Sequence, residues 1–148
     1  MGIASDGAAA LWGLFAGSFL AATLLPGGSE AALVWLRLQD THPAAVLLAV
    51  ATAGNTLGGM SSWLLGRLAA RAGRRVGRRD AAGAQPPDTA LARVRRWGAP
   101  ALLLSWLPFV GDALCVAAGW LGVRALPALA FIAAGKAARY AVLLAALP

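Results

Sequence analysis

Apolar residues run along this chain in four long blocks separated by polar or basic stretches, and two of the blocks are interrupted. Pro43 to Gly66 and Ala125 to Leu147 are unbroken, and each exceeds the roughly 20 residues that a hydrocarbon core about 30 Å thick demands of a helix. They predict two transmembrane helices. Ala8 to Leu38 and Trp97 to Val123 each contain a Pro followed four residues later by a carboxylate: Pro26-Gly27-Gly28-Ser29-Glu30 and Pro108-Phe109-Val110-Gly111-Asp112. The pieces flanking the second break are only about eleven residues long, which suits half-helices better than spans. Pro removes a donor and clashes with the preceding turn while Gly frees the backbone, so the chain is expected to reverse at Pro26, Gly27 and Gly28 and again at Pro108 and Gly111. Irregular backbone at membrane depth is tolerated only where protein or a wet cavity lines it.

The interrupted blocks can be laid over each other. Leu25-Pro26-x-x-x-Glu30 matches Leu107-Pro108-x-x-x-Asp112, and Gly54-Asn55 follows the first acid at almost the spacing by which Gly135-Lys136 follows the second. Paired interruptions at corresponding places point to a transporter built of inverted repeats. The expected fold is therefore an all-α integral membrane protein, two re-entrant helical hairpins each followed by a transmembrane helix. It forms a single membrane domain, 1–148, with repeats 1–66 and 97–148 around a basic loop at 67–96. A competing arrangement has four simple spans; eight apolar residues from Ala31 to Leu38 are too few to cross alone.

Composition agrees with a lipid environment. Of 148 residues, 59% are apolar and 13% charged, against about half and about a quarter in soluble domains. The net charge of +7 raises nucleic acid as a partner, but nine of the thirteen basic residues fall between Arg67 and Arg96, flanked by apolar blocks. That clustering marks a cytoplasmic loop under the positive-inside rule and argues against nucleic acid. Arg124 then lies inside, and Arg37, Asp40 and His42 outside. Within the loop, Gly83-Ala84-Gln85-Pro86-Pro87 reads as a turn. Asp88-Thr89 could cap a helix that puts Leu91, Val94 and Trp97 opposite Arg93, Arg95 and Arg96, an interfacial pattern; the plainer reading is a basic loop that fixes orientation and touches anionic lipid. The lone Cys115 excludes an intramolecular disulfide, and Met1 to Asp6 lack a secretory n-region, so the first apolar stretch is expected to be retained.

Charge inside a bilayer costs about 2.5–3.5 kcal/mol per residue on insertion scales, so each instance calls for a partner or a purpose. Glu30, Asp112, Lys136 and Arg139 are the candidates. The acids could load and release protons beside a midplane cavity, or Asp112 and Ser29 could cap half-helices. Lys136, Arg139 and Tyr140 share one helical face, where the two bases could capture an anion or pair with the acids. Asn55 mirrors Lys136 and could line the same cavity. Gly54-x-x-x-Gly58 and Gly13-x-x-x-Gly17 are close-approach patterns for helix packing, and the Trp residues at 12, 35, 63, 97, 106 and 120 are mostly interfacial anchors. His42, beside Pro43, reads as a solvated loop residue. No metal-ligand set, phosphate-binding Gly loop or nucleophile with a base is visible, so neither enzyme, metal nor cofactor is expected.

Thr23-Leu24-Leu25-Pro26-Gly27-Gly28-Ser29-Glu30, Gly54-Asn55-Thr56-Leu57-Gly58-Gly59, Ser105-Trp106-Leu107-Pro108-Phe109-Val110-Gly111-Asp112 and Gly135-Lys136-Ala137-Ala138-Arg139-Tyr140 resemble, in order, the VTT-type DedA superfamily, and in particular its small YqaA-like branch. The resemblance implies a bacterial inner-membrane protein with two inverted re-entrant hairpins. It also implies proton-dependent transport, handling of polyprenyl phosphate carriers or phospholipid scrambling, with Glu30 as the hairpin acid. The main branch carries arginines around the second proline, where this chain has Ser105, Trp106, Gly111 and Asp112; Lys136 and Arg139 are the bases left for that task. Expected partners are membrane lipids, protons and an anionic lipid or small molecule, with a homo-oligomer left open. A non-transporting scaffold whose charges form buried ion pairs is the alternative.

Overall fold

The computed structural model describes residues 2–23, 28–40, 42–76 and 85–147, and every element among them is helical. In chain order these are α1 (Gly2–Ala21), α2 (Gly28–Leu38), α3 (Ala44–Val76), α4 (Asp88–Trp97), a 3₁₀ segment (Ala99–Trp106), α5 (Val110–Trp120) and α6 (Ala125–Ala145). Two of them, α3 and α6, are long and apolar enough to cross a membrane, yet only 39% and 28% of their apolar windows are buried within the protein. The core helix of a soluble protein is mostly buried. Here Leu57, Leu64, Leu65, Leu68, Leu126 and Val142 point outward, as lipid-facing residues do.

The first span is longer than its apolar pattern predicts. Arg67, Arg71, Arg74 and Arg75, expected in the loop, continue α3 to Val76. Arg and Ala are both strong helix formers, and no Pro intervenes. At about 1.5 Å per residue a helix of 33 residues reaches about 50 Å, so roughly 20 Å of it exceeds the hydrocarbon core and carries the arginines. The guanidinium of Arg67 sits 5.3 Å from the centre of the Trp63 ring. Trp63 itself is buried and donates its indole N–H to the Val123 carbonyl at 3.1 Å, so it joins helices and does not anchor at the interface.

At the second break the 3₁₀ segment and α5 pack against each other. Leu107 is extended, as a residue before Pro must be. Phe109 takes φ 63° and ψ −52°, and the Val110 N–H bonds to the Pro108 carbonyl at 2.7 Å. This is a γ-turn of the rare, strained hand. The freedom expected of Gly111 is supplied by Phe109 instead. Gly111 serves contact: a Cβ there would collide with the Ser105 carbonyl on the opposite limb. Of the first break, Gly28 opens α2, whereas Pro26 and Gly27 lie outside the described residues.

Two clusters form the core. One joins α3, α4, the 3₁₀ segment, α5 and α6 through Trp63, Leu91, Leu102, Leu114 and Ile132. The other joins α1, α2, α3 and α6 through Leu14, Leu33, Leu36, Leu47 and Tyr140. The apolar side of α4 is spent here: Ala90, Leu91 and Val94 are buried against protein, leaving Trp97 exposed. Asp88 is the first helical residue and no side chain caps α4.

The first limb of each interrupted block packs on the span that follows it, α1 on α3 and the 3₁₀ segment on α6. The second limbs also reach across, α2 to α6 and α5 to α3. Gly54 and Gly135 occupy equivalent places in this scheme. A Cβ on Gly54 would run into the Phe15 carbonyl of α1, and one on Gly135 would come within 2.6 Å of the Leu103 carbonyl of the 3₁₀ segment. Gly58 likewise lies against Ala22 and Phe19. Gly13 and Gly17 differ from expectation, since among the described residues nothing lies within 4 Å of a Cβ placed on either.

Candidate functional site

One face of α6 gathers the polar chemistry of the interior. Lys136, Arg139 and Tyr140 fall at helical spacings of three and four, and each reaches a different element. Arg139 forms an ion pair with Glu30 in the first turn of α2, and its Nη1 donates to the Trp106 carbonyl at 2.8 Å. That carbonyl ends the 3₁₀ segment, so one guanidinium ties the residues just after the first break to the carbonyl just before the second. Arg suits this role because its planar fork offers several donors in fixed directions.

Lys136 is 3% exposed, and its ammonium lies 3.8 Å from Oδ1 of Asp112 in the first turn of α5. Asp112 caps nothing: Phe109 is the N-cap residue of α5, with no side-chain cap bond. Each acid therefore meets a base from α6: Asp112 pairs with Lys136 within the second half, and Glu30 pairs with Arg139 across the halves. A buried ammonium without such a partner would be strongly unfavourable.

Tyr140 is fully buried. Its hydroxyl accepts from the Asn55 amide at 2.5 Å and donates to Ser29 Oγ at 2.9 Å. The relay runs from α3 through α6 to α2, ending beside Glu30. Asn55 thus points toward the first acid's turn as Lys136 points toward the second, the mirrored placement their spacing predicts. Ser29, expected as a cap, is an acceptor for Tyr140. Tyr140, Ser29 and the Trp106 carbonyl were absent from the expected cavity lining. A signal for Tyr140 exists in the sequence, as it is the chain's one tyrosine and is spaced four from Lys136.

A cavity of about 460 Å³ opens beside the first pair, lined by Glu30, Trp106, Pro108, Ala138, Arg139, Val142 and Leu143. Of the five residues expected around a common cavity, Glu30 and Arg139 line it. Asn55 and Lys136 lie buried behind it, and the half-exposed Asp112 belongs to the other side of Lys136. The lining is otherwise hydrocarbon and indole, so the site offers one guanidinium and one carboxylate at the edge of an apolar space.

Compared with known proteins, the chain is 43% identical over 139 residues to the inner membrane protein YqaA of Escherichia coli strain K12, an overlap of 94% of this chain and 92% of that one. The chain belongs to the YqaA family of inner membrane proteins. The Shigella flexneri YqaA matches to the same extent, and a Haemophilus influenzae protein is 38% identical over 138 residues, 88% of this chain and 83% of its own. No family model matches the chain, and no solved structure matches it. α6 is long and apolar enough to cross a membrane, and ionisable side chains on a membrane-crossing helix mark function by default.

Proposed function

We propose that the chain is a proton-linked transporter or lipid translocase of the DedA type that carries an anionic, phosphate-bearing substrate. The observation that supports this most directly is the Glu30–Arg139 pair on the wall of an otherwise apolar cavity of about 460 Å³. A lipid phosphate matches both parts of that lining. Its anion competes with the Glu30 carboxylate for the Arg139 fork, while its chain lies along Val142 and Leu143. Protonating Glu30 removes the competitor and frees Arg139; losing that proton after release restores the pair. The Asp112–Lys136 pair offers a second protonatable carboxylate in the other half.

In this reading both interrupted blocks are re-entrant hairpins in inverted arrangement. Supporting it are the short limbs: eleven residues each in α2 and α5 give about 16 Å, half of a hydrocarbon core. The equivalent contacts of Gly54 and Gly135 support the repeat. The arginines from Arg67 to Arg96 support a cytoplasmic side for that loop.

The test is flux. In proteoliposomes under an imposed pH gradient, movement of fluorescent phosphatidylglycerol between leaflets should depend on the gradient in the native protein. It should fall at least about tenfold in Glu30→Gln, Asp112→Asn and Arg139→Gln, as a loss of more than 1.4 kcal/mol in the rate-limiting step requires. Unchanged flux in both acid variants contradicts the proposal. The pairing of both acids also favours the scaffold reading, in which the charges only hold helices together. There, exchanging Glu30 with Arg139 restores the melting temperature that either single change lowers, and no flux accompanies the native protein.

A further inference from the structure

A second groove, of about 330 Å³, runs along the surface shared by α4 and the 3₁₀ segment, lined by Arg93, Trp97, Pro100, Ala101, Leu103 and Leu104. It shares none of the residues lining the ion-pair cavity. Arg93 and Trp97 are four apart on α4 and form one wall; Leu103 and Leu104 form the other. Trp97 is 62% exposed, and the two leucines are about two-fifths exposed, although the leucines' neighbour Leu102 is fully buried. The guanidinium of Arg96 lies 5.9 Å from the centre of the Trp97 ring, which adds a second cation at the same end. Asp88, the acid of α4, sits at the opposite end of that helix. Since Ala90, Leu91 and Val94 are buried in the core, α4 is fixed and the groove is preformed, which lowers the cost of filling it.

We propose that this groove holds one anionic phospholipid of the surrounding bilayer. Its phosphate meets Arg93, the indole of Trp97 stands at headgroup level, and one acyl chain lies over Leu103 and Leu104. Charge complementarity selects this occupant: Arg95 and Arg96 repel the choline or ethanolamine cation of a zwitterionic lipid, and a soluble anion makes no use of the apolar wall. The site holds a lipid and transports nothing, so it stands apart from the carrier mechanism above.

Native mass spectrometry of the full chain in detergent, titrated with phosphatidylglycerol or phosphatidylcholine, tests it. Phosphatidylglycerol should be retained about tenfold better, the size of one charge-assisted contact. Arg93→Gln should bring that ratio near unity. Leu104→Trp, which fills the apolar wall and leaves Arg93 in place, should weaken binding of both lipids, whereas Arg75→Gln at the end of α3 should change neither. Excess inorganic phosphate should not displace the lipid. The proposal is overturned if Arg93→Gln and Leu104→Trp bind phosphatidylglycerol as the native chain does, or if Arg75→Gln lowers binding as far as Arg93→Gln, which would mark a diffuse attraction.

Discussion

Tyr140 and Gly135 carry consequences out of proportion to their size. A single buried hydroxyl bonds to both Asn55 and Ser29, and interhelical hydrogen bonds in membranes average about 0.6 kcal/mol with a ceiling near 1.7. Tyr140→Phe breaks two at once, so its cost should fall at about 1–2 kcal/mol, read as a lower melting temperature in detergent. Gly135→Ala places a methyl within 2.6 Å of the Leu103 carbonyl and should cost about 1–3 kcal/mol, the range for overpacking. Gly13→Ala meets open space and should leave the melting temperature unchanged or raise it, because Ala favours helix by about 1 kcal/mol over Gly. Spacing in the sequence could not tell these glycines apart. Gly13 begins a close-approach pattern yet faces open space, whereas Gly135 stands in none and is in contact; only the position of a neighbouring backbone decides. The charged residues were more legible, since a bilayer gives Glu30, Asp112, Lys136 and Arg139 few ways to exist, and pairing is one of them.

Among the elements, the two spans were readable because length and hydropathy suffice to mark a membrane helix. The far end of α3 was not. The hydrophobic pattern stops near Gly66, while helix propensity carries α3 through its arginines to Val76; pattern reports the solvent and propensity reports the backbone. The 3₁₀ geometry of Ala99–Trp106 has no signature in the pattern, which also hid how completely the apolar side of α4 is used within the protein. The second turn holds the clearest strain. Phe109 keeps a left-handed φ of 63° and is 72% exposed, so its side chain contributes little to the fold. Phe109→Gly should relieve about 1–3 kcal/mol of backbone strain against about 0.5–1 kcal/mol of added chain entropy, for a net gain in melting temperature. Phe109→Ala keeps the strained φ and should not share the gain.

At the scale of the whole molecule, α6 is the common partner of both halves: Arg139 and Tyr140 reach α2 and Lys136 reaches α5. The internal correspondence was visible in the spacing of Pro26 and Glu30 against Pro108 and Asp112. The separation of the acids, with Glu30 in the cavity wall and Asp112 outside it, was not, because it depends on where α5 settles between α3 and α4. The account rests on the second interrupted block entering and leaving by one side of the membrane. Its direct measurement is modification of single cysteines, Trp97→Cys and Arg124→Cys in a Cys115→Ser chain, by an impermeant maleimide applied to sealed vesicles of known orientation. Both should react from the cytoplasmic face alone; reaction of the two from opposite faces would show that the block crosses the membrane and would contradict the account.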